Sequence, residues 1–447
     1  MLRVGSSQAD ITPTQPFLMG GSFVKFLSQE VLDPLMASCV VADDGKTQVA
    51  IVSCDLCTMP RDIVLSIRAQ ASQITGIPTD NIHITTTHNH SGPRIRTNLP
   101  LADDSESEKE LLEATRRKLV ADVAECIAAA HSRLTPARMG YGSGAFEGGA
   151  FNRRFIMSDG RSRMGGGETD TRKRLKPEGP TDPQVQVAWF EDTEGRQLAV
   201  MVSYASHPVN LYARATVSAD FPGVMRASLQ AVLGDDLSVV YLQGACGNIH
   251  PRGPQDPRFQ AGGMVNALRV GRGLAGETLR IMGDNVADAE DVSVSVCSRI
   301  LEIPYREVLP MPLEEAREKR TYYRDCWDEF GRLDIDDKSA IYSTLYTGQF
   351  KEKSPAERVE VAAFALGDVF FVTNPAEYFV EFQLDIKEHF KGRKVIVCEL
   401  TNGFVSYVPT RLACALGGFE TILTWFNPGA GDLIRDVSCE QLDRLMC

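Results

Sequence analysis

The chain contains no run of about 18 apolar residues, which excludes a helical membrane span. Residues 1–11 lack the apolar core and small-residue cleavage pattern of a secretory leader. An excess of positive charge is also missing: 47 Lys and Arg face 59 Asp and Glu, for a formal net charge of −12. That balance excludes a general nucleic-acid or membrane-surface binder, because both need a positive face. A cysteine framework is absent too. The count of 11 is odd and unspaced, and Cys126, Cys297 and Cys398 sit within apolar stretches. Such a pattern suits buried thiols in a reducing compartment, so a cytoplasmic location is expected. Neither an internal repeat nor a linker interrupts residues 1–447, and 43% hydrophobic residues supply ample core. A single large mixed α/β domain is the expectation.

Residues 36–55 read as a hairpin around Asp43-Asp44-Gly45-Lys46, with Gln48–Cys54 as the second strand. A helix over 60–75 places Ile63, Val64, Ile67, Ala71 and Ile74 on one face, and a strand over 81–87 ends at His88. Strand, helix, strand predicts a partly parallel sheet. Ser105 and Glu108 have capping-box spacing and open a helix over 105–133. Residues 140–182, rich in Gly and Arg, read as a long loop. A second hairpin over 185–204 leads into His207, and a strand over 238–242 runs into the turn that precedes His250. Helices near 262–282 and 313–330 flank strands over 292–304. A strand over 369–372 then ends at Asn374-Pro375-Ala376-Glu377, with Glu377 opening a helix over 377–390, and a strand over 395–400 follows.

His88, His207, the turn before His250, Glu377 and the segment before Tyr407 therefore all follow strand ends, where open α/β sheets gather their ligand sites. His88 and His90 are two residues apart, so in an extended backbone both imidazoles share a face. Only seven histidines occur in the chain, and His88, His90, His207 and His250 are the four at strand ends. Imidazole is the commonest zinc ligand, and a hydrolytic zinc site uses three protein ligands and an open position. Blander readings stand beside this one: His207 as a strand-end cap, Glu377 complementing a helix dipole, and Tyr407 as a buried structural tyrosine. Asp55 and Asp220 are candidate partners behind the histidines. Arg94, Arg96, Arg153, Arg154, Arg161 and Arg163 make the surroundings locally basic, which suits carboxylates, phosphates or polarised carbonyls. The spacing Cys54-Asp55-Leu56-Cys57 has no second pair and reads as structural.

An ordered set of segments resembles the catalytic domain of the neutral/alkaline non-lysosomal ceramidase family. It runs through Gly5-Ser6-Ser7-Gln8-Ala9-Asp10-Ile11-Thr12-Pro13, Val52-Ser53-Cys54-Asp55-Leu56 and Thr87-His88-Asn89-His90-Ser91-Gly92-Pro93. Asn152-Arg153, Ala205-Ser206-His207, Gly247-Asn248-Ile249-His250-Pro251, Pro375-Ala376-Glu377 and Ser406-Tyr407-Val408 complete it. The resemblance implies a zinc amidase with His88, His207, Glu377 and Tyr407 as ligands, His90 at the reacting group and Arg153 near the substrate carbonyl. Two departures accompany it: His250 stands where the family has its catalytic serine, and Phe419 where it has a catalytic tyrosine. The family's C-terminal immunoglobulin-like domain has no counterpart in these residues, and its usual secretion is not expected.

The expectation is a zinc-dependent hydrolase acting through metal-activated water on an amide of a small polar or anionic molecule. His90 and His250 would serve as acid, base or transition-state donor, with His250 as a metal ligand left open. Three alternatives remain: a zinc hydrolase or lyase acting on a carbohydrate, a thiol enzyme using Cys246, and a non-catalytic binding protein that kept the fold.

Overall fold

The computed structural model describes residues 1–14, 16–23, 25–97, 104–165, 173–212, 215–253, 262–325 and 333–447. Its centre is an eight-stranded mixed sheet. In chain order the strands are β1 (Arg3–Asp10), β2 (Met36–Asp43), β3 (Gln48–Cys54), β4 (Ile82–Thr86), β5 (Thr135–Ala145), β6 (Gln184–Asp192), β7 (Gln197–Tyr204) and β8 (Ser238–Gln243). Across the sheet the order is β8-β7-β6-β5-β1-β2-β3-β4. Only the outer pairs, β3 with β4 and β7 with β8, run parallel. Each has a helix in its crossover, α1 (Arg61–Thr75) and α3 (Asp220–Leu233), as parallel neighbours require. Helix α2 (Glu106–Ser132) carries the expected capping box from Ser105 and Glu108. Helix α4 (Met264–Asp284) covers the strands on the far side.

The two edges do not stay apart. Ser53 Oγ on β3 donates to Tyr241 O on β8 at 2.7 Å, and Ser238 Oγ reaches Ser7 O and Cys39 O at 3.1 and 3.3 Å. The sheet thus folds over on itself and brings the ends of β4 and β8 together.

A second, four-stranded sheet contains β9 (Val294–Pro304), β10 (Ala356–Leu366), β11 (Val369–Thr373) and β13 (Lys394–Cys398). A short strand β12 (Glu377–Tyr378) lies between the last two in sequence and pairs in parallel with β14 (Tyr407–Val408). Phe364, Phe371 and Ile396 of this sheet pack on Val40, Ile51, Met201 and Val240 of the first, forming a shared core. Residues 399–402 then plug the seam between the folded edges: Glu399 N donates to Gln243 O at 2.9 Å, and Asn402 N to Ile84 O at 2.8 Å.

The stretch 140–182 is not a long loop. It includes most of β5, a run of short strands at Phe151–Asn152, Arg154–Met157, Ser162–Met164 and Arg174–Pro177, and residues 166–172, which lie outside those described. Its glycines serve close packing. A Cβ on Gly140 would lie 2.3 Å from the Trp189 ring, and one on Gly142 2.5 Å from the side chain of Ile281. Glu377 does not open a helix; the helix over Val380–His389 begins three residues later. The charged helix expected near 313–330 is α5 (Leu313–Asp325), and residues 326–330 lie outside those described. Helix α6 (Ile335–Lys353) was not expected. Among the described residues no helix is long and apolar enough to cross a membrane.

Where the sheets meet, buried Arg68 makes a bidentate pair with Glu360 at 2.8 and 3.0 Å, and Asn402 Nδ2 donates to the same carboxylate at 2.9 Å. His83 packs against the Phe364 ring in this cluster, centroids 4.7 Å apart and tilted by 31°. Burial, with Arg68 nearby, pulls its pKa from 6.5 down to about 3. The unfolded chain therefore takes up this proton first, so the contribution is intact above pH 6.5 and is lost as pH falls toward 3. In acid denaturation series, His83→Asn should flatten the acid limb by roughly 1.4 kcal/mol per pH unit within that window.

Candidate metal centre

His88, His90, His207, His250, Arg153, Glu377 and Tyr407 all line one cavity of about 710 Å³. The elements explain their meeting. His88 follows β4, His207 follows β7, and His250 ends the turn after β8, so the folded sheet brings all three to one place. Glu377 and Tyr407 are direct partners in the β12–β14 pair. Ile249 and His250 pair with Phe151 and Asn152, and Arg153 N donates to Asn248 O at 2.9 Å, which sets Arg153 beside His250.

Three of the four imidazoles hold a backbone carbonyl through Nδ1. His88 Nδ1 lies 2.7 Å from Cys57 O, His207 Nδ1 2.7 Å from Cys246 O, and His90 Nδ1 2.8 Å from Gly21 O. A carbonyl oxygen only accepts, so each ring carries its proton on Nδ1 and turns an Nε2 lone pair inward. Asp55 and Asp220 do not take this role. Asp55 pairs with Arg226 at 2.8 Å, and Asp220 binds the backbone of Asn210 and Leu211. The backbone at His88 is not extended; φ is 65°, a left-handed conformation that costs about 1–2 kcal/mol for a non-glycine residue. Of the other non-glycine residues with left-handed φ, Ser406 lines the same cavity and Leu400 and Asn402 lie in the seam.

The inward atoms crowd together. His88 Nε2 is 2.9 Å from His207 Nε2, and Glu377 Oε2 is 3.3 and 3.4 Å from those two nitrogens. Two lone pairs and an anionic oxygen at these separations repel unless positive charge, a metal ion or a proton on His88, lies among them. Glu377 Oε2 is buried and accepts no hydrogen bond. Donors about 2.0–2.1 Å from a tetrahedral zinc lie about 3.3 Å apart, which these spacings approach. The set His88, His207 and Glu377 fits a metal ion. A second grouping, Cys57, His88 and His90, is also close enough. It is the poorer fit, because the His88 nitrogen nearest the Cys57 thiol, at 3.8 Å, is the protonated Nδ1.

The titration directions mark the same pocket as a place for positive charge: against burial, which lowers it, Cys57 and Glu377 hold His88 well above its ordinary value, so that without an ion a proton would occupy the position a metal would take. Burial alone would raise the Glu377 carboxyl, but His88 and His207 outweigh it and hold the group well below the usual carboxylate range. Burial, followed by His88 and His207, takes His90 well below its ordinary value. For His207 burial and then Arg153 bring it to about 4. Burial pushes the Tyr407 phenol up, aided by Glu377 and opposed by Arg153, and its ring lies parallel to His207 at 6.5 Å.

His250 differs from the other three. Its Nδ1 accepts from the backbone N–H of Arg252 at 3.2 Å, so its proton sits on Nε2 and it is a donor. Arg153, the residue expected at the substrate carbonyl, and its neighbour Arg154 separate in space. Arg153 lines the cavity, donates to Glu420 and Gly247 O at 2.8 Å each, and touches Tyr407. Arg154 is fully buried behind it, paired with Glu420 and Glu178. Several contributors carried no signal that sequence reasoning could use. They include the carbonyls of Cys57, Cys246 and Gly21, and Gly247, where a Cβ would lie 2.6 Å from Glu377 O. Cys246 is buried with its thiol donated to Glu399 at 2.8 Å, a poor setting for a nucleophile.

An α/β fold with a metal-competent site at its strand ends defines the class. The sequence model described as neutral/alkaline non-lysosomal ceramidase, N-terminal, matches residues 2–237. The chain belongs to this family. Its fold is similar to that of neutral ceramidase from Pseudomonas aeruginosa, with TM-score 0.73 at 20% identity over 99% of this chain and 74% of that one. A ceramidase described as complexed with C2 gives TM-score 0.72 at 18% identity, covering 100% of this chain and 75% of the other. No curated protein sequence matches. Family and fold together support a hydrolase of the neutral ceramidase type.

Glu399 supplies a test of the site's foundation. It accepts from Tyr378 N at 2.6 Å and from Cys246, and burial raises its carboxyl from 4.5 to about 8. A raised carboxyl favours folding below its unfolded value and loses that contribution as pH climbs from 4.5 through about 8. Glu399→Gln, neutral at every pH, should therefore melt at or above the wild-type temperature at pH 8 and lose that advantage at pH 5.

Proposed function

We propose that this chain is a zinc-dependent hydrolase that cleaves an amide bond of a small molecule bearing a polar or anionic group. The observation that carries the reading is the convergence of the His88 and His207 Nε2 lone pairs on an otherwise unbonded Glu377 oxygen. Zinc suits two imidazoles and a carboxylate, with Tyr407 adjacent as a fourth ligand. When bound, such an ion lowers the pKa of water to about 7 and polarises a carbonyl oxygen.

The chain's own groups then divide the work. His90, its Nε2 free of a proton and 3.4 Å from His88 Nε2, is placed to take a proton from the attacking water. His250, with its proton on Nε2, is placed to donate toward the developing oxyanion or the leaving nitrogen. It substitutes in this role for the serine of the family motif. Arg153, held by Glu420, is positioned to orient the substrate carbonyl. Phe23, Phe404 and Phe419 form apolar parts of the wall, so the substrate joins an apolar segment to its polar group.

His88→Ala should abolish both zinc content, read by elemental analysis, and amide turnover; a purified variant with full zinc occupancy would overturn the assignment. His90→Ala should instead retain zinc while kcat falls about 10²–10⁴-fold.

A further inference from the structure

Five arginines line the cavity, and three of them are engaged. Arg94 pairs with Asp104, Arg153 with Glu420, and Arg174 donates to Gly165 O. Arg96 is different. It lines the cavity, yet no carboxylate among the described residues pairs with it. The groups that act on it are Tyr342, Tyr346 and the Cys57 thiol. Its Nε donates to Tyr346 Oη at 2.9 Å, while Nη2 is buried with no hydrogen-bond partner. The guanidinium lies 4.1 Å over the Tyr346 ring and 4.7 Å over Phe404. Ring faces offset part of the cost of removing this charge from water, but they cannot accept the orphaned N–H in its plane.

A second donor stands next to it. Tyr342, from the helix over Ile335–Lys353, stacks on Tyr346 with centroids 5.6 Å apart and also lines the cavity. Its hydroxyl has no hydrogen-bond partner among the described residues and, raised by burial to about 12, keeps its proton.

We propose that Arg96 and Tyr342 form an anion subsite for a carboxylate at the end of the substrate remote from the scissile amide. A carboxylate matches the pair, since it carries one charge and two coplanar oxygens for a guanidinium edge and a phenol. A doubly charged phosphate would need further cations. Cys57 links the two ends of the site: its carbonyl holds His88 at 2.7 Å and its thiol lies within electrostatic reach of Arg96. The subsite and the metal centre thus share one wall, and an aliphatic spacer along the apolar lining would join the two groups. The inference rests on the hydrolase reading for the nature of the other end, not for the carboxylate itself.

The test uses N-methyl monoamides of linear dicarboxylic acids with four to eight carbons. Each is compared with the isostere whose free carboxylate is a primary carboxamide. Binding is measured by calorimetry on zinc-loaded and on chelator-stripped protein. For at least one spacer length the carboxylate should bind about tenfold or more tightly than its carboxamide. Arg96 touches none of the proposed metal ligands, so that advantage should survive stripping. Arg96→Gln should erase it, and Arg96→Lys should restore only part, because an ammonium cannot offer the planar fork. Equal or undetectable binding of both partners at every length in the wild type overturns the subsite, as does an advantage that persists in Arg96→Gln. An intact advantage without zinc-dependent turnover overturns the hydrolase reading alone.

Discussion

Three backbone carbonyls, those of Cys57, Cys246 and Gly21, govern what this cavity can do, because each takes the Nδ1 proton of one imidazole. If the rings were protonated on Nε2, the inward N–H groups of His88 and His207 would face one another at 2.9 Å, and no cation could be held. With Nδ1 protonated, the same spacing becomes a receptor for positive charge. The fold spends considerable structure on this. His88 adopts a left-handed backbone, and Leu400, Asn402 and Ser406 do likewise in the segment that seals the sheet edges and carries Tyr407. Strain of this kind persists only where surroundings enforce it, and here they are two sheets bridged by residues 399–402.

The contrast with His250 follows from the same reasoning. A backbone N–H rather than a carbonyl meets its Nδ1, so its outward atom is a donor while that of His90 is an acceptor. Two histidines of opposite tautomer at one cavity give a donor and an acceptor, which on the proposed reading serve as acid and base. Burial keeps both rings well below their ordinary pKa, so the arrangement does not depend on protonation near neutrality. A serine hydroxyl can rotate between donor and acceptor; His250 is locked as a donor by the turn it sits in.

Much of this was legible in the sequence because strand ends are legible. The βαβ pattern before His88, the hairpin before His207 and the strand before Glu377 all formed where expected, and the rule that such ends converge placed the histidines together. What failed did so for physical reasons. Glu377 looked like a helix start because Val380 begins one shortly after, and a two-residue pair with Tyr407 has no periodicity to detect. The helix over Ile335–Lys353 buries Ser339, Ser343, Thr344 and Thr347 along with Ile341 and Leu345, so it shows no apolar stripe. The glycine-rich strand Thr135–Ala145 resembled a loop because its missing side chains make room for Trp189 and the covering helix. The basic character of the surroundings was also misleading. Arg154 and Arg94 face buried carboxylates, and which arginines remain without a carboxylate is a property of the tertiary structure alone.

The departures from the family motif acquire a physical logic in this setting. Phe419 packs edge-on against Tyr407 at 5.7 Å and lies under Arg153, filling its position as an apolar wall rather than offering a hydroxyl. Phe23 touches both Phe419 and Tyr342, which puts the Tyr342 ring at the same side of the cavity on a different helix. On the proposed reading, polar function has moved from Phe419 outward to Tyr342 and Arg96, while His250 replaces a rotatable hydroxyl with a fixed donor. A site altered in this way keeps the groups that hold and activate water but changes those that meet the rest of the substrate. Retention of the metal-competent set together with a rebuilt wall is what a change of substrate within one reaction class requires, whereas a protein kept only for binding has no need of convergent lone pairs around a buried carboxylate.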